Sequence, residues 1–202
     1  MNIVYGTTNA AKIEFMRKRV AHLGIEILSL DDIDAPKLHV EEYGSSPLEN
    51  ARIKALAYYE ALKMPVFSAD SGLYIKGLDD ARQPGINIRG VGDHMDDERT
   101  IAYYAALADA MGGKMTAKYK NAICLIDADG KLHEYMGDDI ASEPFYIAGT
   151  PHKSRRRGFP LDSLSVDIAS GKYYADKEKS DDSKYSQDID GFADFFKRAL
   201  NI

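Results

Sequence analysis

The stretch NIVYGTTNAAKIEFMRKRVAHL, residues 2–23, decides the architecture. Ile3, Val4 and Tyr5 make an apolar run of the length of one short strand. Gly6-Thr7-Thr8-Asn9 follows as a turn rich in residues that cap helices. From Ala10 the apolar positions take up helical spacing and keep it to Leu23, with Gly24 as the stop. Strand, tight turn and helix in that order form a βα unit and place the chain among α/β proteins.

Outward from this unit, residues 25–30 read as a second strand and residues 31–46, with Pro36 and Gly44, as loop. Ser46-Pro47-Leu48-Glu49 opens a helix with proline in its first turn that runs to about residue 62. Residues 66–69 and 73–75 read as two strands joined by a small-residue turn. Residues 77–94 are irregular, and residues 96–111 form an amphipathic helix closed by Gly112-Gly113. Asp129-Gly130 is a hairpin signal between strands over residues 115–127 and 131–142. Residues 144–158 read as loop, 176–190 as an exposed charged segment and 191–200 as a terminal helix. Alternating strands and helices followed by a long hairpin predict a mixed, twisted sheet with flanking helices.

With 202 residues, one domain or one two-lobed domain with a full core is expected. No apolar run approaches the roughly 18–20 residues of a membrane span. Residues 1–9 lack the basic-then-apolar layout of a secretion signal, so a cytoplasmic location is expected. The single cysteine, Cys124, lies in the apolar run AICLI and reads as a buried strand residue in a reducing compartment. A net charge of −6 argues against nucleic-acid binding but leaves room for a polyphosphate met by locally gathered cations.

Four constellations carry chemistry. In SADSGL, residues 68–73, the carboxylate of Asp70 stands at the expected end of a buried strand beside Ser71 and Gly72. An ionised group there needs a cationic partner, which makes Asp70 a candidate metal ligand or base, or else a turn former. GTTNAAK, residues 6–12, offers helix N-terminal amides, Thr7, Thr8, Asn9 and Lys12 to an anion, or is simply a capped helix with a surface lysine. EEYGSSPLENARIKA, residues 41–55, sets Glu41 and Glu42 ahead of a helix that carries Asn50 and Lys54 four apart, fit for a hard divalent cation or for a solvated acidic loop. RRRGFPLD, residues 155–162, joins guanidinium forks to Phe159, either to meet phosphate and stack on a base or as a solvated loop with a packed anchor.

Order and spacing join these signals. TxNxxK at residues 7–12, EExGxxxxENAxxKA at 41–55, DSGL at 70–73, PGI at 84–86, GFxxD at 158–162 and EKSxxS at 178–183 resemble the inosine triphosphate pyrophosphatase family over nearly the whole chain. The resemblance implies a Mg²⁺-dependent, homodimeric, house-cleaning hydrolase that splits (deoxy)inosine and xanthosine triphosphates into monophosphate and pyrophosphate. It also implies an elongated two-lobed α/β fold over residues 1–202 with a central nucleotide cleft. Carried over by position, Thr7, Thr8, Asn9 and Lys12 hold the triphosphate, Glu42 ligates the metal, Asp70 is a metal-linked general base, and Ser71 touches substrate. Phe159 and Asp162 fall where the family holds the purine, and Lys179 where it contacts phosphate.

Three departures stand out. Ala69 replaces the family's first acid, and GFPLDS lacks the second aromatic of GFGYDP. Ser183-Lys184-Tyr185 replaces Ser-His-Arg, leaving Lys184 as a donor to a 6-keto oxygen and Tyr185 to stack or donate. A divergent member that keeps the reaction with a shifted base preference is therefore expected. The alternatives are the same reaction on another base, as in the septum-inhibitor-like (Maf) pyrophosphatases, or a nucleotide-binding protein without turnover.

Overall fold

In the computed structural model, which describes residues 1–36, 38–90, 95–176 and 188–202, the first strand, β1 (Asn2–Tyr5), is flanked by parallel neighbours on both sides. It leads into α1 (Ala10–Val20), then β2 (Glu26–Leu28), α2 (Pro47–Leu62), β3 (Val66–Ile75), α3 (Asp97–Ala110) and β4 (Lys114–Ile126). The chain closes with β5 (Leu132–Tyr135), β6 (Phe145–Ala148), β7 (Ser165–Asp167) and α4 (Asp188–Leu200). Strand order is β2-β1-β3-β4-β6-β7, with β5 also paired to β4. β4 runs antiparallel to β5 and β6, and β7 antiparallel to β6, so the sheet is mixed as the sequence predicts. Among the described residues no helix is long and apolar enough to cross a membrane.

The chain divides into two compact units. The first comprises Met1–Ser71, Lys120–Ala141 and α4; the second comprises Gly72–Tyr119 and the described residues 142–176. In the first unit, alternation along each strand sorts side chains between two cores. Ile3, Tyr5, Phe67, Ile123 and Leu125 pack with α1 and with Phe192, Phe195 and Phe196 of α4. Val4, Val66, Cys124 and Ile126 pack with Ala51, Ala55 and Tyr58 of α2. With both faces covered, these strands read as unbroken apolar runs. In the second unit, Ile101, Tyr104 and Ala108 of α3 pack on Leu73, Ile75, Met115, Ala117, Phe145 and Ile147.

Several sequence expectations change. β3 is one ten-residue strand, so Asp70 lies within it rather than at its end, and Ser71-Gly72 is extended chain rather than a turn. Small residues there signal a turn only when read locally. With apolar residues to bury on either side and β4 alongside, the chain stays extended. Residues 145–148 form β6 instead of loop, because Phe145 and Ile147 alternate into the second core. The hairpin's second arm shortens to four residues, β7 joins the sheet, and the last helix begins at Asp188.

Candidate active site

The N-terminus of α1 is assembled by close packing. Gly6 is buried where a Cβ would come within 2.6 Å of both Ser68 Oγ and Tyr58 Cδ2, so no side chain fits. Ser68 Oγ donates to the Gly6 carbonyl at 3.1 Å and ties the turn to β3. Thr7 Oγ1 accepts from the Asn9 amide at 3.2 Å, and Asn9 Oδ1 caps the helix by accepting from the Lys12 amide at 3.1 Å. Asn9 is thus a cap first, which leaves its amide nitrogen as a donor. Thr8 is exposed. The remaining first-turn amides have no intrahelical acceptors and lie at the positive end of the helix, the usual setting for an anion.

The acidic loop is held by the helix that follows it. Asn50, 2 % exposed, accepts the Gly44 amide on Oδ1 at 2.9 Å, and Glu49 accepts the Ser45 amide at 2.6 Å and its hydroxyl at 2.8 Å. Ser46 caps α2 by accepting from the Glu49 amide. A Cβ on Gly44 would fall 2.6 Å from Asn50 Oδ1 and 3.0 Å from the Asn50 amide nitrogen, so glycine is required at that spacing. One turn further, Lys54 Nζ lies 3.0 Å from Glu42 Oε2 and 3.3 Å from Asp70 Oδ1. The spacing of EExGxxxxENAxxKA therefore has a direct structural meaning: Gly44 and Asn50 fix the loop, Ala51 and Ala55 bury the helix, and Lys54 gathers two carboxylates.

Asp70 and Lys54 are each 15 % exposed at the side chain, in a setting where charge pairing matters. Burial holds the Lys12 ammonium below the usual lysine range, opposed by the pull of Asp70, assisted by Lys54 and opposed again by Glu42. Two ammonium groups and two carboxylates thus act on one another in one place. Beside them Ser71 Oγ donates to Asn121 Oδ1 at 2.7 Å, and Asn121 Nδ2 donates to the Ile140 carbonyl at 2.7 Å. Ala69 packs against the apolar cluster of α1 and α4, so the acid expected there by resemblance is replaced by core packing.

This donor set, two carboxylates that meet at one point, suits a hard divalent cation. Glu42 and Asp70 both reach the Lys54 ammonium, so their oxygens converge on one cationic point. Among the described residues no group of three or more His, Cys, Asp or Glu is gathered for a metal. Magnesium is commonly held by one or two carboxylates, with substrate phosphates and waters completing its shell.

Phe159 and Asp162 lie in the second unit, in one short turn where the Asp162 amide donates to the Phe159 carbonyl at 3.1 Å. Arg156 places its guanidinium 4.0 Å from the Phe159 ring centroid and its Nη1 3.2 Å from Asp162 Oδ2. The aromatic expected to stack on a base thus already carries a cation on one face. Lys179, Lys184 and Tyr185 lie outside the described residues. The structure brings Glu42 and Asp70 together at Lys54, within the electrostatic reach of Lys12, and seats Thr7 and Asn9 on the turn that precedes Lys12. Asn121 is the contributor that residue patterns alone do not single out. Asn50 and Lys54 are marked by their four-residue spacing in the motif, and the fold supplies their partners.

Comparison with known proteins shows the family of the chain. A sequence model of the Ham1 family matches residues 3–150. This chain belongs to the Ham1 family. A relative from Rhodopseudomonas palustris, named dITP/XTP pyrophosphatase, is 35% identical over 137 residues, covering 65% of this chain and 63% of the relative, under two thirds of its length. Another of that name from Thermus thermophilus is 29% identical over 187 residues, covering 92% of this chain and 86% of the relative. The solved Staphylococcus aureus Ham1 protein shares the fold, with a TM-score of 0.72 at 22% identity over 98% of this chain and all of that one. A dITP/XTP pyrophosphatase structure from Mycobacterium abscessus has a TM-score of 0.68 at 25% identity, covering 96% of this chain and 98% of that one. The Ham1 assignment bears out the resemblance to inosine triphosphate pyrophosphatases and the mixed α/β fold it implied.

Proposed function

We propose that this Ham1 protein is a magnesium-dependent nucleoside triphosphate pyrophosphatase that converts (deoxy)inosine and xanthosine triphosphates to the monophosphate and pyrophosphate, cleansing the nucleotide pool. The observation that carries this reading is the sharing of Lys54 by Glu42 and Asp70, within the electrostatic reach of Lys12 at the α1 N-terminus. The names of the Rhodopseudomonas and Thermus relatives support it.

The chemistry follows from the residues. The first-turn amides of α1, with Thr7, Thr8 and Asn9, bind phosphate oxygens, and Lys12 and Lys54 offset their charge. Asp70 takes the proton of the attacking water on a carboxylate oxygen, while Lys54 holds its Oδ1 in place. The water oxygen bonds to the α-phosphorus as the bond to the bridging oxygen breaks, and pyrophosphate departs with that electron pair. Glu42 and Asp70 would hold magnesium, whose charge neutralises the leaving group. Ser71, fixed by Asn121, borders the reacting end, and Phe159 and Asp162 take the base. Lys179 contacts phosphate, and Lys184 and Tyr185 help read the purine. A cytoplasmic homodimer is part of the same proposal; light scattering at twice the chain mass supports it and a monomer contradicts it.

A panel of nucleoside triphosphates with magnesium, scored for pyrophosphate, tests the reading. Release from inosine and xanthosine triphosphates, abolished in Asp70→Asn, is expected. Preference for another base corrects the substrate class, and stepwise orthophosphate release contradicts the cleavage position. A binder without turnover is the second reading, favoured by Ala69 in place of a carboxylate, and it requires binding with no product from any base.

A further inference from the structure

Glu42 Oε2 and Asp70 Oδ1 meet at one point, and the Lys54 ammonium occupies it, 3.0 Å from the first and 3.3 Å from the second. All three residues belong to the first unit. Lys54 is carried on α2 and Asp70 within β3, and both side chains are mostly sheltered from solvent. Glu42 differs. It lies in the loop ahead of α2, its side chain is 43% exposed, and its Oε2 accepts a hydrogen bond from Lys54 Nζ. Lys12 interacts electrostatically with the same three groups, so a second ammonium acts on this point.

We propose that Lys54 is a built-in competitor of the divalent cation: its ammonium claims the oxygens the metal needs, keeps a bare cation from binding tightly, and yields Glu42 when one binds. The inference rests on the reading that Glu42 and Asp70 hold the metal. Magnesium takes carboxylate oxygens at about 2.1 Å, so a cation on Glu42 Oε2 stands directly beside the ammonium already there. Positive charges a few ångströms apart repel strongly at the effective dielectric of a partly sheltered site. The two carboxylates differ in freedom. Asp70 is fixed within a strand, whereas the exposed Glu42 side chain can turn from the ammonium to the metal. Lys54 then stays against Asp70 Oδ1. The charge that opposes a bare cation attracts a polyphosphate, so a cation carried on a triphosphate brings the negative charge that offsets Lys54.

Calorimetric titration of the full chain with manganese(II) alone, at fixed ionic strength, tests this without nucleotide or turnover. Manganese stands in for magnesium as a cation that prefers the same oxygen ligands. Lys54→Met is expected to bind the ion about tenfold or more tightly than the wild type, because one positive charge beside the carboxylates is gone. Lys54→Gln is expected to do the same and carries the test if Lys54→Met fails to fold. Lys54→Arg keeps the charge and is expected to stay near the wild type. Adding Glu42→Gln to the neutral variant is expected to cancel the gain. Unchanged or weaker binding in the neutral variants, equal tightening in Lys54→Arg, or a gain that survives Glu42→Gln overturns the proposal. The nucleotide panel reports separately. Tighter cation binding with no pyrophosphate from any base keeps this inference and loses the pyrophosphatase reading. Pyrophosphate release with unchanged cation binding in the neutral variants does the opposite.

Discussion

Lys54 controls the electrostatics of the site, since its ammonium is the shared counter-ion of Glu42 and Asp70. Lys54→Met leaves two carboxylates facing each other without it, and kcat/KM for inosine triphosphate is expected to fall about 10²–10³-fold, the usual cost of one fixed charge-stabilising donor; a change under threefold contradicts the role. Asn50 acts one step back. Asn50→Ala strips the Gly44 amide of its buried acceptor and is expected to cost about 1–3 kcal/mol in urea unfolding. Turnover should fall with it as the Glu42 loop loosens. Asp70, Glu42 and Lys12 are legible in the sequence because each is a chemically marked residue in a motif. Lys54 and Asn50 are marked there by their four-residue spacing, but their roles are not, because on a helix face they look like ordinary solvated residues, and only the folded loop shows what they hold.

Among the elements, α1 and α2 are legible at their starts because Asn9 and Ser46 announce themselves as caps. β3 reads locally as two strands because Ser71-Gly72 carries turn residues, while its extension depends on a neighbouring strand that local sequence does not display. β6 escapes for the same reason: four residues alternate too briefly to stand out from loop. At the start of α3, Asp97 accepts the Gly158 amide and pairs with Arg89, and these hold its carboxyl below the usual carboxylate range. Its stabilising contribution is thus present above the unfolded value near 3.9 and is lost as pH falls through the lower folded value. Denaturation of wild type and Asp97→Asn across pH 2–6 is expected to show the wild type more stable at pH 6, with the gap closing toward pH 2. A gap independent of pH contradicts the pairing.

For the whole molecule, the mixed sheet and helices on both faces of the first unit are legible because strands covered on both sides read as continuous apolar runs. The division into two units is not readable from the residues, since β3 and β4 each contribute to both. Lys54 has a molecular consequence as well: the carboxylates have a counter-ion without metal, so chelation should abolish turnover while shifting Tm by no more than about 2–4 °C, equivalent to roughly 1 kcal/mol. Collective unfolding on chelation would contradict that. The most direct test of the central claim is hydrolysis of inosine triphosphate in ¹⁸O-labelled water with mass analysis of both products. Attack at the α-phosphorus places one ¹⁸O in inosine monophosphate and none in pyrophosphate; label in pyrophosphate or in orthophosphate contradicts it.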